Sequence, residues 1–179
     1  MAEIFFKKNI NGSILDVGGG GEGIIGRVYG RQVTAIDKLQ SELDEVTCDC
    51  EKLVMDACDL DFADQSFDNV TFFYTFMFME QTEWQQALAE ANRVLKVSGK
   101  LFIWDAVIES AYPEPFLVDV LVNCVGEEVK TTYGVGKLEA KQNAQTFVDL
   151  AMDVGLKLVR CSEDSGQFFL QFERVGQSR

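Results

Sequence analysis

The stretch Ile14-Leu15-Asp16-Val17-Gly18-Gly19-Gly20-Gly21-Glu22-Gly23 holds the residues best placed to do chemistry. An apolar run carries one carboxylate and is followed by five glycines interrupted by a single glutamate. Glycine serves where backbone takes a positive φ or must come within van der Waals reach of a ligand, because a Cβ blocks both. The pattern predicts a strand, a tight turn of bare amides, and a helix from about Glu22 through Tyr29 whose positive end faces the turn.

Three further carboxylates fall where strands should end. Gln32 to Asp37 reads as a second, parallel strand, and a carboxylate at its end can accept both hydroxyls of a ribose. Asp56 closes a third strand expected over Lys52 to Ala57, and Asp105 a fifth over Lys100 to Asp105, facing the same cleft. Gly18, Gly20 and Gly23 also satisfy G-x-G-x-x-G, with Asp37 at the separation of a ribose-binding acid, so a nicotinamide-dependent oxidoreductase stays open on these residues alone. Asp16 argues against it. Two positions before the first glycine, a dinucleotide site buries an apolar residue, and a carboxylate there has no evident partner.

Composition narrows the chemistry. The 179 residues carry a formal net charge of −13 and no histidine. The charge disfavours nucleic acids and anionic membranes, whose binding rests on clustered Lys and Arg. Without imidazole there is no Ser-His or Cys-His pair and the commonest metal ligand is missing. Cys48-x-Cys50 with Cys58 lacks paired C-x-x-C spacing, so no metal is expected, and the five cysteines read as reduced thiols rather than a disulfide framework. The first residues, Met1 to Lys8, lack the long apolar region of a signal peptide, and a cytoplasmic protein is expected.

The glycine turn with Asp16 resembles the first motif of class I S-adenosylmethionine-dependent methyltransferases. Asp56-Ala57 followed by Leu60-x-Phe62-Ala63-Asp64-x-Ser66-Phe67-Asp68-x-Val70 is similar to the second block of that family. Leu88-x-Glu90-x-x-Arg93-Val94-Leu95-Lys96-x-x-Gly99-x-Leu101 resembles the block before its fifth strand, with Val97-Ser98-Gly99 in place of the usual Pro-Gly or Gly-Gly. The resemblance covers roughly residues 13 to 106 and 143 to 175. It implies S-adenosylmethionine as cofactor, with Asp16, Gly18, Gly19 and Gly20 around its amino-acid end, Asp37 at the ribose, Asp56 and Ala57 at the adenine, and Lys38 a further cofactor-binding candidate. Phe73 is expected as a wall. Glu22 stands where the family's third glycine usually stands and joins the cofactor-binding candidates. Asp105 and Tyr74 are the candidates for a catalytic base. There is no Asn/Asp-Pro-Pro-Tyr, which disfavours the amino-methylating nucleic-acid subclass.

The elements that must position these groups follow in order. Leu39 to Val46 reads as a short helix and Val70 to Tyr74 as the fourth strand. Thr82-Glu83-Trp84-Gln85 reads as a capping box opening a helix whose apolar face is Trp84, Leu88, Ala91 and Leu95. Phe116 to Val122 alternates and can pair back on Glu128 to Tyr133 across Val125-Gly126, giving a β-rich insertion at about 107–141 that lids the pocket or forms a homodimer contact. Asn143 begins a last helix ending at Gly155. Leu156 to Val159 and Phe168 to Phe172 then form a closing antiparallel pair. The expectation is a single α/β domain over 1–179: a three-layer sandwich around a seven-stranded, mostly parallel sheet with one antiparallel closing strand. The implied function is methyl transfer to a small-molecule acceptor, the alternative being a non-catalytic S-adenosylmethionine-binding subunit or sensor.

Overall fold

The computed structural model describes residues 2–176; Met1 and residues 177–179, at the two ends of the expected domain, lie outside the described residues. The chain runs β1 (Ala2–Phe6), β2 (Ile14–Val17), α1 (Ile24–Tyr29), β3 (Val33–Asp37), α2 (Gln40–Glu45), β4 (Glu51–Val54), β5 (Phe67–Phe73), α3 (Gln81–Val94) and β6 (Leu95–Ala106). It continues through β7 (Phe116–Cys124), β8 (Glu127–Val135), α4 (Ala144–Asp153), β9 (Leu156–Asp164) and β10 (Gln167–Arg174).

Seven strands form one sheet in the order β4-β3-β2-β5-β6-β10-β9. The pairs from β4 to β6 are parallel, whereas β10 lies antiparallel to both β6 and β9, so it alone runs against the rest. β2 and β5 are buried because both their faces are covered, and the buried polar side chains of β5, Asn69 and Thr71, are hydrogen-bonded to the β2 segment. On one face α3 and α4 pack through Trp84, Leu88, Ala91, Phe147 and Ala151. Phe147 lies 4.6 Å from Phe76, 4.9 Å from Trp84 and 5.6 Å from Phe168, ring centre to ring centre.

The other face differs from the expected layer of helices. α1 covers part of it with Ile24, Ile25 and Val28, and a second sheet of order β1-β7-β8 covers the remainder. β7 and β8 form the expected hairpin, turning at Val125 and Gly126 with φ of 54° and 104°. Two successive left-handed residues match the right-handed twist of the flanking strands. β1 adds in parallel to β7, with Phe6 packing 5.8 Å from Phe73 and 5.2 Å from Trp104. The N-terminal segment is thus a strand, and it ties the hairpin to the main sheet.

Several local expectations are corrected. α1 starts at Ile24 behind a left-handed Gly23, which leaves Glu22 in the turn. The capping box of α3 is Glu80 with Glu83, two residues earlier than Thr82 with Gln85, because Glu80 is the residue with extended backbone. Leu95 opens β6 rather than ending the helix. Cys48 and Cys50 are joined by a disulfide, while Cys58, Cys124 and Cys161 are free. The two bonded sulfurs sit against Gly26, where any Cβ would collide with them. No described helix is long and apolar enough to cross a membrane.

Candidate active site

At the carboxyl ends of β2, β3, β4 and β5 the chain encloses a cleft of about 680 Å³, within the range that holds a small ligand. Asp16, Gly18, Gly19, Gly20, Glu22, Asp37, Lys38, Asp56, Ala57 and Phe73 all line it. Residues from four strands and their loops converge there because the parallel strands present their carboxyl ends side by side.

Asp16 sits on the floor, 2% exposed. Its Oδ1 accepts a 2.7 Å hydrogen bond from the Thr71 hydroxyl, and Thr71 is its register partner on β5. Burial pushes this carboxyl up to about 7, opposed by the Thr71 hydrogen bond and reinforced by the charge of Asp37. Above it the turn is bare. A Cβ on Gly19 would lie 2.6 Å from Asp16 Oδ2, and one on Gly20 would lie 2.8 Å from Asp37 Oδ2. Side chains at these two positions would cover both carboxylates, and glycine keeps them open to a ligand.

Asp37 ends β3, and its Oδ1 accepts from the Leu39 amide at 2.9 Å, which leaves Oδ2 on the cleft side. Asp56 follows β4 rather than ending it. Its Oδ1 accepts from the Cys58 amide at 2.9 Å and its Oδ2 pairs with Lys38 Nζ at 3.2 Å. The Cys58 amide, working against partial burial and helped by Lys38, holds the Asp56 carboxyl below its ordinary range. Lys38 is well exposed, so this pair is one a ligand can displace at little cost.

The hairpin closes the opposite side. Glu22 Oε1 accepts from the Thr131 hydroxyl and Oε2 from the Tyr133 hydroxyl at 3.3 Å. Arg27 braces the same corner, donating to the Glu22 carbonyl at 2.6 Å and pairing with Glu127 of the hairpin at 3.0 Å. The Tyr133 ring stacks on Tyr74 with centres 4.5 Å apart and planes 11° apart. Tyr74 holds φ at 52°, a conformation that costs about 1–3 kcal/mol in a bulky residue and that clusters at ligand sites. Its hydroxyl is buried without a hydrogen-bond partner; leaving such a group unpaired costs about 1–3 kcal/mol.

Neither candidate base has the properties of one. Burial first, and then the Asp105 charge, push the Tyr74 phenol well above its ordinary range, so it stays protonated. Asp105 does not face the cleft. It is fully buried, accepting from Gln142 Nε2 at 2.7 Å, the Ala106 amide at 2.8 Å and the Phe76 amide at 3.1 Å. It therefore fastens the 3-10 turn Phe76–Phe78 and the Ile108–Gln142 bridge to the end of β6. The strand end was read correctly, but alternation along β6 turns this side chain into the protein.

Sequence reasoning missed Thr75, Phe78, Met79, Glu80, Glu83 and Tyr133 in the cleft wall. Thr75 donates to the Val17 carbonyl at 2.8 Å and could have been found as the residue leaving β5 toward the glycine turn. Tyr133 carried no local signal, since it comes from β8, the edge strand of the second sheet, about a hundred positions from the glycine turn.

Residues 15–103 match the family model described as a methyltransferase domain. The chain belongs to the class I S-adenosylmethionine-dependent methyltransferases. No curated protein matches the sequence. Among solved structures, it is similar to a SAM-dependent methyltransferase from Methanosarcina mazei, at 17% identity over 93% of this chain and 94% of that one, with a TM-score of 0.65. It is similar also to the chain seen in a complex of the Haloferax volcanii Trm112 methyltransferase activator with a methyltransferase, at 16% identity over 96% and 86%, TM-score 0.70. A third is an S-adenosylmethionine-dependent methyltransferase from Mesorhizobium loti, at 12% identity over 94% of each chain, TM-score 0.67. At these identities the likeness concerns the fold. The nicotinamide alternative falls with the family match, and S-adenosylmethionine is the cofactor of this class.

Proposed function

We propose that this methyltransferase acts on a small-molecule acceptor in the cleft between the glycine turn and the β7–β8 hairpin. The observation that carries the reading is the convergence of bare amides, the carboxylates Asp16, Asp37 and Asp56 and an aromatic wall in one covered cavity. The donor set fits the cofactor. Asp16 and the amides of Gly18 to Gly20 suit an ammonium and a carboxylate on one carbon. Asp37 Oδ2 suits a ribose diol, and Asp56 with the Ala57 amide suits an adenine edge. Lys38 holds Asp56 in place across the mouth, and Phe73 supplies apolar surface beside the turn.

Bound there, S-adenosylmethionine supplies a methyl group on a sulfonium, whose charge is neutralised as the methyl leaves. The residues of this chain then have to align and exclude rather than to move protons. Alignment of a bound pair can lower the barrier by as much as about 7–11 kcal/mol. The hairpin shuts out water through the Glu22–Tyr133 and Tyr74–Tyr133 contacts, and the cover favours an acceptor small enough to sit beneath it. A polyanionic substrate is disfavoured by the charge of −13.

Calorimetric titration with S-adenosylmethionine, S-adenosylhomocysteine and a reduced nicotinamide cofactor tests the reading. Binding of the first two and not the third is expected. Failure of both sulfur compounds to bind would remove the site assignment.

A further inference from the structure

The geometry points to an amine as the acceptor, held as a cation by the Glu22 carboxylate beside the stacked rings of Tyr74 and Tyr133. This rests on the methyltransferase site described above and adds the substrate class. Four observations converge on it.

The first is the field in the cleft. Among the described residues lining it, Lys38 is the one cation, and it already faces Asp56 at 3.2 Å and Glu83 at 3.9 Å. With Asp16, Asp37 and Asp56 assigned to the cofactor and Glu83 facing Lys38, the carboxylates Glu22, Glu42, Glu45 and Glu80 remain, and Glu22, a cofactor-binding candidate on sequence, is held by Thr131 and Tyr133 of the hairpin instead. A cavity of one sign concentrates ligands of the other. The second is where Glu22 lies. It stands in the glycine turn itself, between Gly21 and Gly23, lines the cleft there, and accepts from the Tyr133 hydroxyl of the hairpin. The two hydroxyls fix the carboxylate but leave lone pairs on both oxygens for a ligand N–H.

The third is Tyr74. The residue lines the cleft and stacks on Tyr133. The aromatic wall formed with Tyr133 and Phe73 suits a cation and its hydrocarbon. The fourth is the chemistry available. Tyr74 and Tyr133 both stay protonated and histidine is missing, so the acceptor must be a nucleophile that needs no strong base. The ammonium first gives one proton to water, leaving the neutral amine. The lone pair then forms the N–C bond while the S–C pair stays on sulfur, so nitrogen gains the positive charge that sulfur loses.

The test uses the full chain saturated with S-adenosylhomocysteine, whose own binding is measured first, so that loss of the cofactor site is seen separately. 2-Phenylethylamine, 2-phenylethanol, 2-phenylethanethiol and 3-phenylpropionate are then titrated as near-isosteric probes. The amine is expected to bind at least about tenfold more tightly than any of the others. In Glu22→Gln, checked to bind S-adenosylhomocysteine, the amine's advantage is expected to disappear. Equal affinities, a preference for the alcohol, thiol or acid, or no saturable binding of the amine overturns the assignment. An undiminished preference for the amine in Glu22→Gln overturns the part given to that carboxylate.

Discussion

Asp16 shows how one residue can serve as a strand residue and as a ligand group. Its carboxyl is pushed up to about 7 by burial, so near neutrality it is poised between its two forms. An ammonium placed beside it favours the anion. Binding of S-adenosylhomocysteine is therefore expected to tighten as pH rises from 6 to 8, with proton release on binding below pH 7; titration in buffers of different ionisation enthalpy reads both. Asp16→Asn keeps the Thr71 hydrogen bond but removes the charge. It is expected to weaken that binding by about 1.5–3 kcal/mol, the worth of a hydrogen bond to a charged group, and to flatten the pH dependence. Full-strength binding by the variant would remove Asp16 from the site. This residue was legible in the sequence because its position before the glycines is local. Asp105 looked equivalent, at the end of a strand in the same sheet, yet the Gln142 bridge and the 3-10 turn at Phe76 bury it. Such contacts join residues 29 and 37 positions apart, and no local pattern records them.

At the scale of elements, the helices α3 and α4 are held to the sheet by one aromatic cluster. Phe147 touches Phe76, Trp84 and Phe168 and is fully buried. Phe147→Ala is expected to lower unfolding stability by about 3–5 kcal/mol through lost contacts and the cavity left behind; urea denaturation with an unchanged slope would report it. The hairpin β7–β8 invites a different experiment. Its tip at Val125-Gly126 is exposed beside the Arg27–Glu127 pair, while further along β8 Thr131 and Tyr133 are pinned by Glu22 and Tyr74. Limited proteolysis at the tip is expected to slow when S-adenosylhomocysteine is bound, and an unchanged cleavage rate would count against a covering role. The hairpin itself was readable from alternation and a turn. Its place over the glycine turn was not, because β1 and the Glu22 contacts that put it there come from residues about a hundred positions away. The core strands, the closing pair and the Asn143 cap were readable, since each rests on a local period or a local hydrogen bond such as Asn143 Oδ1 accepting from the Thr146 amide at 3.0 Å.

For the whole molecule, the buried carboxyls set a pH profile. Asp16 and Asp105 are both pushed up to about 7 by burial, so between pH 4 and pH 7 the folded chain holds protons that the unfolded chain has lost. Stability is then expected to fall as pH rises through that window. Asp68 acts in the opposite sense. Lys96 and the Ser13 amide lower its carboxyl to about 2, so its contribution is present above pH 4 and disappears as pH falls toward 2. The sequence pI of about 4.4 places growing self-repulsion on the same side as the first two groups. Urea midpoints at pH 4.5, 6 and 8 should decrease in that order; a rising series would show that the two buried carboxyls ionise without penalty. The order of the main sheet also bears on how the chain is made. β10 comes last among the described strands, yet it lies inside the sheet between β6 and β9. During synthesis from the amino end, β6 thus keeps an unpaired edge, and β9 has no neighbour, until residues 167–174 have left the ribosome tunnel. A nascent chain halted before that point presents an open β edge to whatever chaperone or sister chain is near.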